Sequence, residues 1–306
     1  MHHVDFMRRC LLLAGRGRGL VGNGALVGAV LVSKEKIIAE GWHSAFGSEH
    51  AEVNLIKKLD RKIPHESGLY VNLEPCNHHG KTPPCTDAII QSGIRRVVIG
   101  MWDPDPRVQG RGAAALRAAG IEVIGPVLPE ECRRFNRGFV SARESSRPYI
   151  TLKNARTLDG AFANPDGSKR KITSVSQDRW SHQFLRARHD AILVGAGTVL
   201  SDNPSLLVRL PHYEAPQPYR ILLDPAASIP GSAAVLVDEN AERTIHITDL
   251  PQENGRFVWK ELWSLLMTPR EGFHGVTSIL VEGGPRVWKS FREEGCVDEE
   301  VTLMGM

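Results

Sequence analysis

Cysteine is scarce in this chain of 306 residues: Cys10, Cys76, Cys85, Cys132 and Cys296 are the full set. An odd, sparse set excludes the disulfide framework that staples small secreted domains. It fits a reducing cytoplasm and a metal site better. Excess charge of one sign is lacking too. A net charge of +3 is too small by itself to imply a nucleic-acid partner. No apolar run reaches the length of a membrane span and no signal peptide opens the chain, so a cytoplasmic protein without a membrane partner is expected. His2 and His3 are too few for a tag or a metal tract. What remains is ordinary for a globular protein, 42% apolar and 24% charged, with a length comfortable for two domains.

Two of the five cysteines sit in unusual company. His50-Ala51-Glu52 is followed by Pro75-Cys76-Asn77-His78-His79-Gly80-Lys81-Thr82-Pro83-Pro84-Cys85. One imidazole and two thiols suit a tetrahedral zinc with one position left for water. A carboxylate two residues after the histidine can take a proton from that water and pass it on, as in the zinc nucleobase deaminases with their H-x-E and P-C signature. A lone cysteine is usually a small buried hydrophobe, and a structural zinc would want a fourth protein ligand, for which His79 is the candidate. Against both, His-x-Glu and Pro-Cys occur in the right order, each at the start of an apolar helical pattern. Val53, Ile56 and Leu59 carry the first pattern, and Ala88, Ile89 and Ile90 the second. A ligand at a helix N-terminus meets the positive end of the dipole, which favours thiolate over thiol. The catalytic reading therefore leads.

The gap between Cys76 and Cys85 is wider than the usual C-x-x-C. The run resembles the P-C-x-H-x-G-[RK]-T-P-P-C segment of the riboflavin-biosynthesis deaminase–reductase family. That resemblance implies an N-terminal cytidine-deaminase-like domain of three α/β/α layers over residues 1–145. It also implies a C-terminal dihydrofolate-reductase-like α/β domain over 146–306.

Read in order, Asp5 to Ala14 has helical periodicity through Phe6, Cys10 and Leu13. A glycine-rich loop from Gly15 to Gly24 precedes an apolar strand, Leu26 to Val32, and a hairpin return, Lys36 to Gly41. The family usually carries Pro-Asn-Pro where this chain has Gly22-Asn23-Gly24. Leu69 to Leu73 and Arg96 to Gly100 read as buried strands. Alternation of strand and helix predicts a parallel sheet covered on its faces. Asp103-Pro104-Asp105-Pro106 follows a strand end, where such sheets put their ligands; the family prefers Asn where Asp105 stands. A helix from Ala113 to Ala119 and a strand from Ile121 to Ile124 complete the domain, and Glu130 to Arg147 reads as a solvated connecting helix.

The second half opens with Arg147-Pro148-Tyr149-Ile150-Thr151-Leu152-Lys153 and the turn Thr157-Leu158-Asp159-Gly160, similar to the start of the family's reductase domain. Leu185-Arg186-Ala187 ends a helix, and Asp190 to Leu200, Asp202-Asn203-Pro204 and Arg209 form a second block of the pattern. Arg220 to Asp224, Thr244 to Thr248 and Ser278 to Val281 read as strands. Gly195-x-Gly197 lacks the third glycine of the dinucleotide fingerprint, so a Rossmann domain is not supported. Glu282-Gly283-Gly284 before a helix is the better phosphate signal, because glycines let backbone amides approach an anion at the positive helix end. Lys169-Arg170-Lys171-Ile172-Thr173 lacks the aromatic that the family places against its cofactor. The end at Met306 is expected to leave the reductase sheet incomplete, with weak NADPH binding and slow reduction as the consequence.

The resemblance implies riboflavin biosynthesis. The first domain would hydrolytically deaminate 2,5-diamino-6-(5-phosphoribosylamino)pyrimidin-4-one, and NADPH would then reduce the ribosyl chain in the second. It implies Zn2+ on His50, Cys76 and Cys85, with Glu52 as the catalytic proton carrier. Asn23, His43, His78, Lys81, Thr82 and Asp103 would line the pyrimidine site, Lys81 suiting the phosphate. Ala155, Thr198, Asp202 and the turn Gly284, Pro285, Arg286, Val287, Trp288, Lys289 and Ser290 would hold NADPH. Arg186, Leu206, Arg209 and Glu282 would meet the reductase substrate. The partner is thus a small pyrimidine ribose phosphate, and assembly into a homo-oligomer stays open. The chief alternative is a single-activity deaminase with a non-functional reductase domain. A tRNA adenosine or deoxycytidylate deaminase explains neither the wide cysteine gap nor the second domain, and intact Glu52 argues against a non-catalytic zinc module.

Overall fold

The computed structural model describes residues 2–59, 62–80, 83–160, 172–253 and 256–305. Lys81, Thr82, Lys169, Arg170 and Lys171 lie outside them. The chain divides into two compact units, Met1–Ser146 with Pro269–His274, and Arg147–Thr268 with Gly275–Met306.

In the first unit α1 (His3–Ala14), β1 (Gly28–Ser33), β2 (Lys36–Trp42), α2 (Ala51–Lys57), β3 (Gly68–Val71), α3 (Cys85–Ser92), β4 (Arg96–Ile99), α4 (Arg111–Ala118), β5 (Glu122–Ile124), α5 (Pro129–Phe135) and α6 (Arg137–Glu144) follow in order. The five strands form one sheet, β2-β1-β3-β4-β5. Alternate residues of each strand point to opposite faces. Val30, Val32, Tyr70 and Val98 pack with Phe6, Met7 and Cys10 of α1 and with Cys132, Phe139 and Val140 of α5 and α6. Ala29, Leu31, Leu69, Val71, Val97 and Ile99 pack with Ala51 and Leu55 of α2, Ile89 of α3, and Ala113 and Leu116 of α4. The result is the expected three-layer α/β/α sandwich.

Three expectations need correction. The sheet is mixed: β3, β4 and β5 run parallel and β1 and β2 form the expected hairpin, but β1 is antiparallel to β3 as well. Lys34 and Glu35, both at positive φ (47° and 59°), close the two-residue turn between β1 and β2, and so short a link permits only antiparallel pairing. Residues 130–147 are not one solvated helix but two that cover the sheet, with Asn136 holding Leu26 through both its main-chain groups (2.8 and 3.0 Å). The fully buried residues of α2 are Ala51, Glu52 and Leu55, with Ile56 and Leu59 half-buried against the same core, and Ile90 of α3 is 40% exposed.

The second unit contains β6 (Tyr149–Thr157), α7 (Val175–Phe184), β7 (Ala191–Gly195), α8 (Ala196–Asp202), β8 (Tyr219–Leu223), α9 (Ala234–Val237), β9 (Thr244–Ile247), β10 (Gln252–Glu253), β11 (Arg256–Phe257), α10 (Trp259–Met267), β12 (Ser278–Val281), α11 (Pro285–Glu293) and β13 (Glu299–Gly305). Six strands form the sheet β13-β6-β12-β7-β8-β9, parallel at every pairing. Asp190 accepts hydrogen bonds from Thr277 N, Thr277 Oγ1 and Ser278 N (2.8–2.9 Å), fixing the start of β12 against the start of β7. Trp259 of α10 meets Phe291 of α11 edge to face, with ring centroids 4.8 Å apart. With every strand parallel, all carboxyl ends lie along one edge, and ligand-binding turns gather there. No helix among the described residues is long and apolar enough to cross a membrane.

Candidate functional site

In the first unit the chain brings one imidazole and two thiols together from three separate elements. His50 is the N-cap of α2, Cys85 is the first residue of α3, and Cys76 lies beyond the end of β3. The ligand atoms of these three residues all lie within 4.8 Å of one another. His50 Nδ1 is 3.2 Å from Cys85 Sγ and 3.6 Å from Cys76 Sγ, and the Cys85 main-chain N–H points at Cys76 Sγ (3.3 Å). Contacts with Cys85, then with His50, hold the Cys76 thiol down to about 4, and the Cys76 thiol in turn raises the pKa of the His50 ring. Among the described residues His79 does not join this group. Three soft and borderline donors with no fourth protein ligand fit a catalytic zinc rather than a structural one.

Glu52, in the first turn of α2, is 3% exposed, and its Oε2 has no hydrogen-bond partner among the described residues. Burial pushes its pKa up. A carboxylate oxygen left without a partner in the interior is costly unless it serves a function. This one opens onto a cavity of about 560 Å³ that His50, Cys76, His43, His78 and Asp103 also line. That volume suits a small ligand. Asn23 lines an adjoining hollow of about 220 Å³, which shares His43, His50, Cys76 and His78. The sequence-predicted residues of this site, apart from Lys81 and Thr82, are therefore neighbours.

His43 stands edge to face with His50 (centroids 5.4 Å apart), its Nδ1 lies 3.3 Å from the Ala25 carbonyl, and burial lowers its pKa. A neutral ring that donates from Nδ1 keeps Nε2 as an acceptor. Burial raises the Asp103 pKa; the hydrogen bond from the Asp105 main-chain N–H (2.9 Å) opposes the shift and the Glu74 charge adds to it. Asp105 is held below the usual carboxylate range by its forked contact with Arg107 (2.6–3.2 Å).

Sequence reasoning missed Glu74. It is 3% exposed and accepts from the main-chain N–H groups of Asp103 (3.2 Å), Gly110 (2.9 Å) and Ala113 (3.1 Å). One carboxylate thus fixes the Asp103 loop beside the zinc donors. An acidic residue directly before Pro75-Cys76 was the available signal. Arg111 and Arg143, also missed, line the same cavity.

In the second unit, β12 lies between β6 and β7, with Val281 level with both Leu152 and Leu193. Glu282, Ala155 and Gly195 consequently stand at the carboxyl ends of three adjacent strands. Arg186 grips Glu282 with two hydrogen bonds (2.9 and 2.6 Å) and donates to the Leu207 carbonyl (2.8 Å). The Glu282 pKa falls to about 2: burial opposes the shift, but the Arg186 charge and hydrogen bonds prevail. Leu206 is buried at φ 52° in the same loop, and Arg209 N–H donates to His182 Nδ1 (2.9 Å). Thr198 and Asp202 belong to α8. Gly284 caps α11, and a Cβ added there would meet nothing within 4 Å, so the helix start faces open space; Val287 behind it packs on Gly283 and Gly195. Two helix starts at adjacent strand ends, α8 and α11, fit a phosphate-bearing cofactor. Along the same turn Trp288 is buried, and Lys289 reaches Glu293 at 3.7 Å.

Comparison with known proteins agrees with both halves. Residues 1–101 match the cytidine and deoxycytidylate deaminase zinc-binding region, and residues 148–305 match the RibD C-terminal domain. Riboflavin biosynthesis protein RibD of Aquifex aeolicus is 42% identical, covering 98% of this chain and 86% of the relative. That of Escherichia coli is 36% identical, covering 99% and 88%. A solved deaminase/5-amino-6-(5-phosphoribosylamino)uracil reductase from Thermotoga maritima is 37% identical and superposes with a TM-score of 0.84 over 99% of this chain and 86% of its own.

Proposed function

The chain belongs to the RibD family of riboflavin biosynthesis proteins, with deaminase and reductase regions in one polypeptide, and from that premise we propose how its residues divide the work. The first unit deaminates the diaminopyrimidine ribose phosphate by hydrolysis: water adds at the ring carbon, the carbon–nitrogen bond breaks, and ammonia leaves. His50, Cys76 and Cys85 would hold zinc, which when bound supplies the Lewis acidity that makes water a nucleophile near neutral pH. Glu52 carries the protons at its Oε2: it takes one from the attacking water to the ring nitrogen, then a second from the new hydroxyl to the departing amine, so that the ring carbonyl forms as ammonia leaves. His43 offers an acceptor to the ring, Asn23, His78 and Asp103 orient it, and Lys81 with Thr82 meets the phosphate end.

The second unit reduces the ribosyl chain of the deaminated product. NADPH, when bound, supplies the hydride. Ala155, Thr198, Asp202 and the turn from Gly284 to Ser290 receive it across the starts of α8 and α11. Arg186, Leu206, Arg209 and Glu282 receive the sugar chain, and the locked Arg186–Glu282 pair gives it a fixed set of donors and acceptors. All five cysteines are free, and two serve as thiolate ligands, which suits a reducing cytoplasm.

The observation that carries this reading is a buried Glu52 oxygen that, among the described residues, has no partner, in a cavity beside three candidate zinc donors with no fourth. Assaying ammonia release from the diaminopyrimidine phosphate and NADPH oxidation on its deaminated product, each with zinc analysis, tests it. Ammonia release that tracks zinc content, with NADPH consumed only in the second assay, is the expected result. Activity indifferent to zinc would overturn the metal assignment, and no NADPH oxidation would leave a single-activity deaminase.

A further inference from the structure

Pro269–His274 folds with the first unit, although the segments on either side of it in sequence belong to the second. It is a tight turn. Arg270 N donates to the Phe273 carbonyl (2.8 Å) and Phe273 N to the Arg270 carbonyl (2.9 Å), Gly272 takes φ 70°, and the Arg270 guanidinium sits 4.2 Å above the Phe273 ring. This closure presents His274 in a fixed place. Its carbonyl accepts from Asn23 N (2.9 Å), and its ring stacks on Phe46 with centroids 4.4 Å apart and planes 15° apart. Phe46 and Asn23 both line the smaller hollow next to His43, His50 and Cys76.

The Asn23 loop, Gly22-Asn23-Gly24, has two glycines and little stiffness of its own. Gly22 sits at φ 59°, and a Cβ added there would fall 2.3 Å from the His274 carbonyl oxygen and 2.5 Å from its Cβ. The loop and the turn touch too closely for any side chain between them. We propose that His274 is a positioning residue of the deaminase pocket, holding the Asn23 loop by its carbonyl and Phe46 by its ring. The inference rests on the deaminase reading of the first unit. His274 is exposed, so truncating it opens no core, and the effect falls on the pocket wall.

The test uses the full-length, zinc-loaded chain and three variants, His274→Ala, His274→Phe and Gly22→Ala. KM and kcat for ammonia release from the diaminopyrimidine phosphate, zinc per chain, and Tm are measured. H274A should raise KM roughly threefold to tenfold, the range expected for one lost ring stack, with kcat within about twofold. Zinc content should not change. H274F, which keeps a flat ring against Phe46, should restore KM, and G22A should raise it at least as much as H274A. An unchanged KM in H274A beside a normal wild type overturns this inference alone. So does a joint fall in kcat, zinc and Tm that H274F does not rescue, since that pattern marks a merely structural role. A wild type that releases no ammonia overturns the deaminase reading and this inference with it.

Discussion

Glu52 in the first unit and Glu282 in the second stand in opposite electrostatic states, although both are nearly sealed from solvent. Glu52 is 3% exposed, and the Glu282 side chain is 10% exposed. Glu52 keeps an oxygen without a partner among the described residues, and burial raises its pKa. Glu282 has both oxygens on the Arg186 guanidinium and is held at about 2. Burial penalises a carboxylate charge in either place; what differs is whether an opposite charge offsets it. A group that must accept and release a proton needs its two forms close in energy, whereas a group that fixes geometry needs one form far below the other. On the proposed reading, the same residue type would serve hydrolysis in one unit and substrate alignment in the other.

The comparison breaks most completely at the metal. Cys85→Ser should leave less than one zinc per chain and abolish ammonia release while NADPH oxidation on the deaminated product continues. Metal analysis showing full zinc in that variant would remove Cys85 from the ligand set. Glu52→Gln comes next. It should keep the zinc and lower the deamination rate by roughly 10²–10⁴-fold, the usual contribution of a positioned proton carrier; a near-normal rate would show that the orphaned oxygen is idle. Arg186→Ala should act on the other unit only. It strips Glu282 of its counter-charge, so the second unit should lose about 3–5 kcal/mol in denaturant unfolding and reduction should fail, with deamination intact. Equal loss in both activities would mean that the two units do not fold independently.

The smallest effect is a pH dependence. Burial first, then the charges of Arg186 and Arg209, hold the His182 ring down to about 4, with Glu282 and Asp178 pulling the other way. An unfolded histidine titrates near 6.5. Between those values the unfolded chain binds the extra proton, so the His182 contribution is complete above about pH 6.5 and is lost as the pH falls toward 4. His182→Asn keeps an acceptor for Arg209 N–H and removes the titration. The stability difference between wild type and H182N should therefore shrink or reverse as pH falls through that window. A difference constant with pH would show that the ring does not titrate there.

The zinc donors were legible because each marks the end of a local element. His50 opens one apolar helical pattern, Cys85 opens another, and Cys76 follows a buried strand, so short-range periodicity already placed them near helix starts. Glu282-Gly283-Gly284 was readable for the same reason. The apolar residues of α2 and α3 were read in part, with Ile56, Leu59 and Ile89 on the core, but periodicity does not show a charged group, Glu52, turned inward. Glu74 escaped because its partners are main-chain N–H groups at Asp103, Gly110 and Ala113, and backbone donors leave no mark on residue type.

By itself, the sequence carried the family resemblance, and with it the three-layer first domain; it also offered a candidate donor set and proton carrier, because residue chemistry at short spacing suggests them. Only the tertiary structure decided that β1 pairs antiparallel with β3, that one Glu52 oxygen has no hydrogen-bond partner among the described residues while both Glu282 oxygens have one, and that His274 closes on the Asn23 loop. Each of these depends on contacts between residues far apart in sequence. Such contacts are selected by packing and charge compensation over the whole fold, and no local pattern records them.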